Sequence, residues 1–197
     1  MRIMNSTIVI AAVTSAVLFS MSNAVDDNQK ETISAAVTDE VVHGLTWKCP
    51  DCTPEEQYVL KQLQEKTKIT DRNALATILG NIKQESKFVA NVCEGGARVP
   101  YTDCNRGGYG LIQWTSTHRY LGLGDFATKY GCDPSTLECQ TRYMINEPIF
   151  QRVLPDFEGT GQTVAQYMVP AYYWLGWGIR GPRDTYAYNY TKQMVFS

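Results

Sequence analysis

Histidine is nearly missing from this chain of 197 residues, which has two, His43 and His118. Cys49-Pro50-Asp51-Cys52 has the spacing of a metal knuckle, but no second CxxC and no HxxxH follow it. Structural zinc is not expected, nor any other metal or cofactor. Runs of positive charge are missing too. The chain has 18 Lys+Arg against 20 Asp+Glu, a net charge of −2. Proteins that hold nucleic acid draw on clustered Lys and Arg, so nucleic acid is not an expected partner. There is no internal repeat, and no apolar run after the N-terminal segment approaches the roughly 20 residues that cross a bilayer.

Acidic residues are absent from positions 1–24, where Arg2 is the only charge. An apolar run opens with Ile8-Val9-Ile10-Ala11-Ala12-Val13 and continues to Phe19, and Ser22 and Ala24 put small residues at the −3 and −1 positions. A charged start, a short apolar centre and a small-x-small ending make a secretory signal, with cleavage expected after Ala24. The run is short for an anchor, so no stable membrane insertion is expected after cleavage. Residues 25–46 carry five acids, one lysine and no aromatic residue, the composition of a solvated linker. The remainder, 47–197, has the length of one domain with a real core and is expected to be a monomer.

Six cysteines in an exported chain point to disulfides. They fall into three neighbouring pairs, Cys49/Cys52, Cys93/Cys104 and Cys132/Cys139. Many connectivities are open to six cysteines, and short loops are all that favours pairing of nearest neighbours.

The periodicity is mostly helical. Thr53 as N-cap, Pro54 at N1 and Glu56 at N3 form a capping box, and Tyr58, Val59, Leu60 and Leu63 supply the apolar side of a first helix. Asp71 caps a second helix reaching to about Phe88, with Leu75, Ile78, Leu79 and Ile82 on one stripe. Glu85, seven residues after Ile78 and three after Ile82, continues that stripe. A carboxylate there is costly unless something compensates for it. Gly95, Gly96, Pro100, Gly107, Gly108 and Gly110 then interrupt the helical pattern with a loop or small hairpin. Helical patterns return at 117–130, 135–147, 162–175 and 183–195, which makes the domain mainly α with a small β excursion.

Glu85-Ser86-Lys87-Phe88 followed by Gly110-Leu111-Ile112-Gln113-Trp114 resembles the E-S-x-F and G-L-x-Q signatures of the lysozyme-like glycosidases. Gly80-Asn81-Ile82-Lys83-Gln84-Glu85-Ser86 and Gly108-Tyr109-Gly110-Leu111-Ile112-Gln113-Trp114-Thr115 are similar to the bacteriophage tail-lysozyme family in particular, over about residues 53–190. The resemblance implies a lysozyme-like fold and a muramidase cutting the MurNAc–GlcNAc bond of peptidoglycan strands, with Glu85 as the acid. Such an acid must still hold its proton near neutral pH, and an apolar pocket achieves this by disfavouring the charged form. The alternative for a Glu at a helix end is an ion pair with a nearby Lys or Arg. Gln113 is carried over as a wall of the sugar cleft, Gly110 as a point of close backbone approach, and Ser86 as a hydrogen-bonding neighbour of the carboxylate. Ala187-Tyr188-Asn189 echoes the A-Y-N motif of lytic transglycosylases, which makes Tyr188 a candidate beside the acid. Tyr109 and Trp114 adjoin the motif and are candidates to stack on sugar faces.

Asp103, 18 residues after Glu85, is the acid best placed by sequence to act as a second carboxylate; its other reading is an ordinary turn residue. Without such a partner the chain could act as a lytic transglycosylase, giving 1,6-anhydro-MurNAc ends. Two further readings stand beside these: a Cys–His peptidase using Cys93 and His118, and a virion or wall-binding protein of the same fold without activity. A signal segment suits export to the periplasm or beyond, whereas tail lysozymes usually travel within the particle.

Overall fold

The computed structural model describes residues 45–105 and 107–197. The expected signal 1–24 lies outside the described residues, as does all but the end of the expected linker 25–46. Among the described residues the chain forms seven α-helices: α1 Pro54–Lys66, α2 Arg72–Ser86, α3 Thr117–Tyr130, α4 Leu137–Asn146, α5 Pro148–Glu158, α6 Val164–Leu175 and α7 Arg183–Gln193. Strand β1 (Trp47–Lys48) pairs antiparallel with β2 (Val195–Phe196), so the start of the described chain is pinned to its end. The fold is mainly α, with a small irregular β region between α2 and α3.

Local chemistry sets the helix starts. The Thr53 hydroxyl accepts from the Glu56 N–H at 3.3 Å while the Glu56 carboxylate accepts from the Thr53 N–H at 2.9 Å, the expected capping box. Asp71 Oδ1 accepts from the Asn73 and Ala74 N–H groups at the head of α2, and Oδ2 accepts from Gly161 N–H at 2.7 Å. Leu75, Ile78, Leu79 and Ile82 are fully buried, so α2 is the axis against which α6 and α7 pack.

Gly80 sets how closely α7 approaches. A Cβ at this position would lie 2.6 Å from the Ala187 nitrogen and 2.9 Å from its Cα. No other residue fits without separating the two helices, although glycine within a helix costs about 1 kcal/mol relative to alanine. The two helices run antiparallel here. Going from Gly80 to Glu85 along α2 meets Ala187 and then Arg183 along α7.

Residues 92–114 form the β excursion, with isolated bridges joining Val92 to Arg98, Cys93 to Tyr109 and Tyr109 to Trp114. All three neighbouring cysteine pairs are disulfides, with Cα–Cα separations of 5.3 Å for Cys49–Cys52 and 5.6 Å for both Cys93–Cys104 and Cys132–Cys139.

Helix α5 departs from the sequence expectation, which left its residues unassigned. Phe150, Val153 and Phe157 form its buried stripe. Its two prolines are tolerated for different reasons. Pro148 sits at N1, where an N–H has no partner anyway, and Pro155 lies in the last turns, where the lost bond and crowding affect little helix.

Candidate active site

Glu85 lies in the last turn of α2, on the face that also carries Asn81 one turn earlier. Its side chain is 17 % exposed, and one carboxylate oxygen, Oε1, accepts from Arg183 Nη2 at 2.6 Å. Of the two surroundings open to Glu85 from sequence, the structure has the ion pair and not the apolar pocket expected for the acid, because α7 brings Arg183 against the end of α2. No group among the described residues donates to the other oxygen, Oε2. Arg183 is the first residue of α7. Its Nη1 donates to Asn81 Oδ1 at 3.2 Å and to the Asn81 carbonyl at 3.4 Å, and its guanidinium lies 4.5 Å from the centre of the Trp177 ring.

The chain leaves α2 under backbone strain. Lys87 (φ 53°) and Phe88 (φ 64°) follow one another in the left-handed region, and Gln113 (φ 52°) adopts it on the facing hairpin. These are the non-glycine residues with positive φ among those described, and all three lie within the motif segments. Strain of this kind, at about 1–3 kcal/mol per residue, gathers where function over-determines the backbone.

Ser86 donates to the Leu111 carbonyl at 2.7 Å, not to the carboxylate, and so stitches the end of α2 to the hairpin. Gly110 (φ 70°) does permit a close approach, but the approaching group is Gln140, whose amide lies 2.4–2.7 Å from where a Cβ would stand. Gln140 is fully buried and uses both amide N–H donors and its carbonyl oxygen. It accepts from Leu111 N–H and donates to the Ala90 and Pro134 carbonyls, each at 2.7 Å. The motif loop is thereby clamped to α4. Gln113, half-buried, donates to the Gly110 carbonyl at 3.0 Å and to the Val92 carbonyl at 3.3 Å.

Two expected sugar platforms are overturned. Tyr109 and Trp114 are both 0 % exposed and can offer no face to a ligand. Tyr109 packs edge-on against the stacked pair Tyr101 and Tyr120 and donates to the Val99 carbonyl at 3.1 Å. Trp114 donates to Glu147 at 3.3 Å, which also accepts from Trp174 at 3.2 Å and from Arg119 at 2.6 and 3.0 Å. The open aromatic surface near Glu85 lies elsewhere. Trp177 is half-buried over Arg183, and the half-exposed Tyr172 meets the Trp177 ring edge-on at 5.3 Å. Tyr188 is 46 % exposed; five residues past Arg183 on α7, it points about 140° round the helix from it.

Asp103 ends an exposed 3-10 turn, Tyr101–Asp103, where its carboxylate accepts from the Thr102 hydroxyl at 2.9 Å. Glu94 went unremarked in the sequence. Its Oε2 accepts from the Gly108 N–H at 3.1 Å, and a Cβ on Gly108 would stand 2.8–3.0 Å from Gln113. An acid thus lies beside the cleft-wall candidate, which only the pairing of the two hairpin arms brings about.

With every cysteine in a disulfide, neither a thiol nucleophile at Cys93 nor thiolate ligands at Cys49 and Cys52 are on hand. Among the described residues no cluster of three or more His, Cys, Asp or Glu could hold a metal ion, and no helix is long and apolar enough to cross a membrane.

The phage tail lysozyme family model matches residues 55–167, more than half of the chain and the part that holds Glu85, Gly110 and Gln113. No curated protein and no solved structure matches the chain. The chain belongs to the phage tail lysozyme family, and with it to the lysozyme-like enzymes that degrade peptidoglycan.

Proposed function

We propose that this protein is a muramidase that cleaves the MurNAc–GlcNAc bond of peptidoglycan, with Glu85 as general acid. The observation carrying this reading is the presentation of Glu85. It lies in the last turn of the buried helix α2, beside a strained turn, with one oxygen held and the other unengaged among the described residues. A proton on Oε2 passes to the glycosidic oxygen, which takes the electron pair of the breaking bond to the MurNAc anomeric carbon. Water then adds at that carbon and its second proton returns to Glu85. Trp177 and Tyr172 supply the sugar-stacking faces that Tyr109 and Trp114 do not, while Gln113 lines the cleft.

Hydrolysis calls for a second carboxylate, as nucleophile or as base for water. Asp103 is the proposed partner from sequence, and the geometry favours a second candidate, Glu94, seated against Gly108 next to Gln113. If neither takes part, the 6-hydroxyl of MurNAc displaces the leaving sugar and the ends are 1,6-anhydro. One experiment decides among these. The purified chain is incubated with peptidoglycan, the new ends are weighed by mass spectrometry, and Asp103→Asn and Glu94→Gln are run in parallel. Reducing MurNAc ends, with a strong loss in one of the two variants, are expected. Products lacking one water throughout would make the chain a lytic transglycosylase.

The enzyme is proposed to work as a monomer in the periplasm or outside the cell after losing residues 1–24. Carriage within a virion is the alternative that family membership keeps open.

A further inference from the structure

Arg183 is the least expected residue of the site. It lies beyond the segment that the family model matches and 98 residues from its partner. Its side chain is 4 % exposed, and burying a guanidinium is costly unless its donors are met. Yet they are not all met, since Nε is buried with no hydrogen-bond partner among the described residues. The fork is instead turned so that its two terminal nitrogens meet two residues of α2, Asn81 and Glu85, with the Trp177 ring over its face.

We infer that Arg183 is the positioning residue of Glu85: it holds Oε1 so that Oε2 is the oxygen that delivers the proton. The inference rests on Glu85 being the general acid. In the step itself the proton leaves Oε2 for the glycosidic oxygen, and the carboxylate that remains faces the fixed guanidinium. A charge that develops against a preorganised partner needs no rearrangement of the surroundings. Asn81 and Trp177 hold the guanidinium in turn, and the Gly80–Ala187 contact sets the distance across which it reaches.

Steady-state kinetics on soluble peptidoglycan fragments test this with Arg183→Gln, Arg183→Lys and Glu85→Gln, singly and combined. Arg183→Gln should lower kcat by about 10–100-fold, as loss of catalytic alignment does, with KM within about two-fold of wild type. In the Glu85→Gln background the same substitution should change the residual rate by less than about two-fold, because the group it positions is already gone. Arg183→Lys, which keeps the charge but cannot span Asn81 and Glu85, should fall between wild type and Arg183→Gln in kcat. It also serves if Arg183→Gln does not fold. A loss confined to KM, a full multiplicative loss in the double variant, or wild-type kcat in Arg183→Lys would overturn the inference. Failure of the underlying reading is separate: it shows as activity in Glu85→Gln alone.

Discussion

At the scale of single residues, Glu85 and Gly80 make opposite demands on a substitution. Glu85→Gln preserves size and removes the transferable proton. The fold should persist at a cost in stability, because the buried Arg183 guanidinium loses its counter-charge, while activity falls by the roughly 10²–10⁴-fold that general-acid catalysis typically supplies. Circular dichroism together with a dye-release assay on peptidoglycan checks both halves, and near wild-type turnover in the folded variant would falsify the assignment. Gly80→Ala works the other way. The added methyl meets the Ala187 backbone at 2.6 Å, which cannot yield as a flexible side chain would. Overpacking of this kind costs about 1–3 kcal/mol, of which helix propensity returns about 1. Because Arg183 lies one turn before Ala187, the same change should reduce activity by more than the lost stability explains. Denaturant melts beside kinetics at a temperature where the variant is folded would show it.

Between elements, a second polar junction ties α1, α2 and α7 together next to the site. Glu56, only 6 % exposed, accepts from Tyr190 at 2.5 Å and from Lys83 at 2.9 Å, and the Lys83 ammonium also lies 5.3 Å from the Tyr190 ring centre. Burial pushes the Glu56 carboxyl up, but the bonds from Tyr190, Thr53 and Lys83 outweigh it and hold the group below the usual carboxylate range. Burial, with Glu56 beside it, pushes the Tyr190 phenol up, so it remains a donor. The folded state therefore binds the Glu56 proton more weakly than the unfolded chain does. Its contribution to stability is complete above the ordinary carboxylate value near 4.5 and is lost as the pH falls through the lower folded value. Glu56→Gln should flatten the fall in stability below about pH 4.5, read from urea melts at stepped pH. Tyr190→Phe should cost about 1.5–3 kcal/mol at neutral pH, the range for hydrogen bonds to charged groups. The sequence marks Glu56 as half of a capping box, which it is. Its second role depends on Tyr190, 134 residues away, and no local pattern shows it.

Across the whole domain, the hairpin, α3, the α4–α5 junction and α6 converge on Glu147. This carboxylate is 1 % exposed and takes bonds from Trp114, Arg119 and Trp174. Removing one member of a buried ion pair strands the other, so Glu147→Gln should cost about 3–5 kcal/mol. Thermal unfolding should register it as one of the largest losses among conservative changes. The disulfide Cys93–Cys104 closes the hairpin that carries Glu94 and Gln113. Replacing that pair by serines should cost about 2–5 kcal/mol, as native disulfides of small exported domains do. Activity should suffer as well, since the hairpin arms would be free to part. Peptide mapping without reductant checks the bonds, and N-terminal sequencing of the protein made in cells checks the proposed export and start at Val25.

The sequence alone determined what depends on near neighbours. Thr53, Pro54 and Glu56 announce a helix start because a cap bonds within three residues, and Asp71 does the same for α2. The stripe from Leu75 to Ile82 and its continuation to Glu85 follow from helical period alone, whereas short loops favoured the three disulfides without deciding among the connectivities open to six cysteines. Only the tertiary structure decided what Glu85 faces. An apolar stripe states which side of a helix turns inward, but not whether a cation waits there, and Arg183 comes from the far end of the chain. It also decided which aromatics are open. Trp114 and Trp177 look alike in sequence, yet one is consumed by Glu147 and the other lies over Arg183, because burial depends on what packs above a ring and not on the motif beside it.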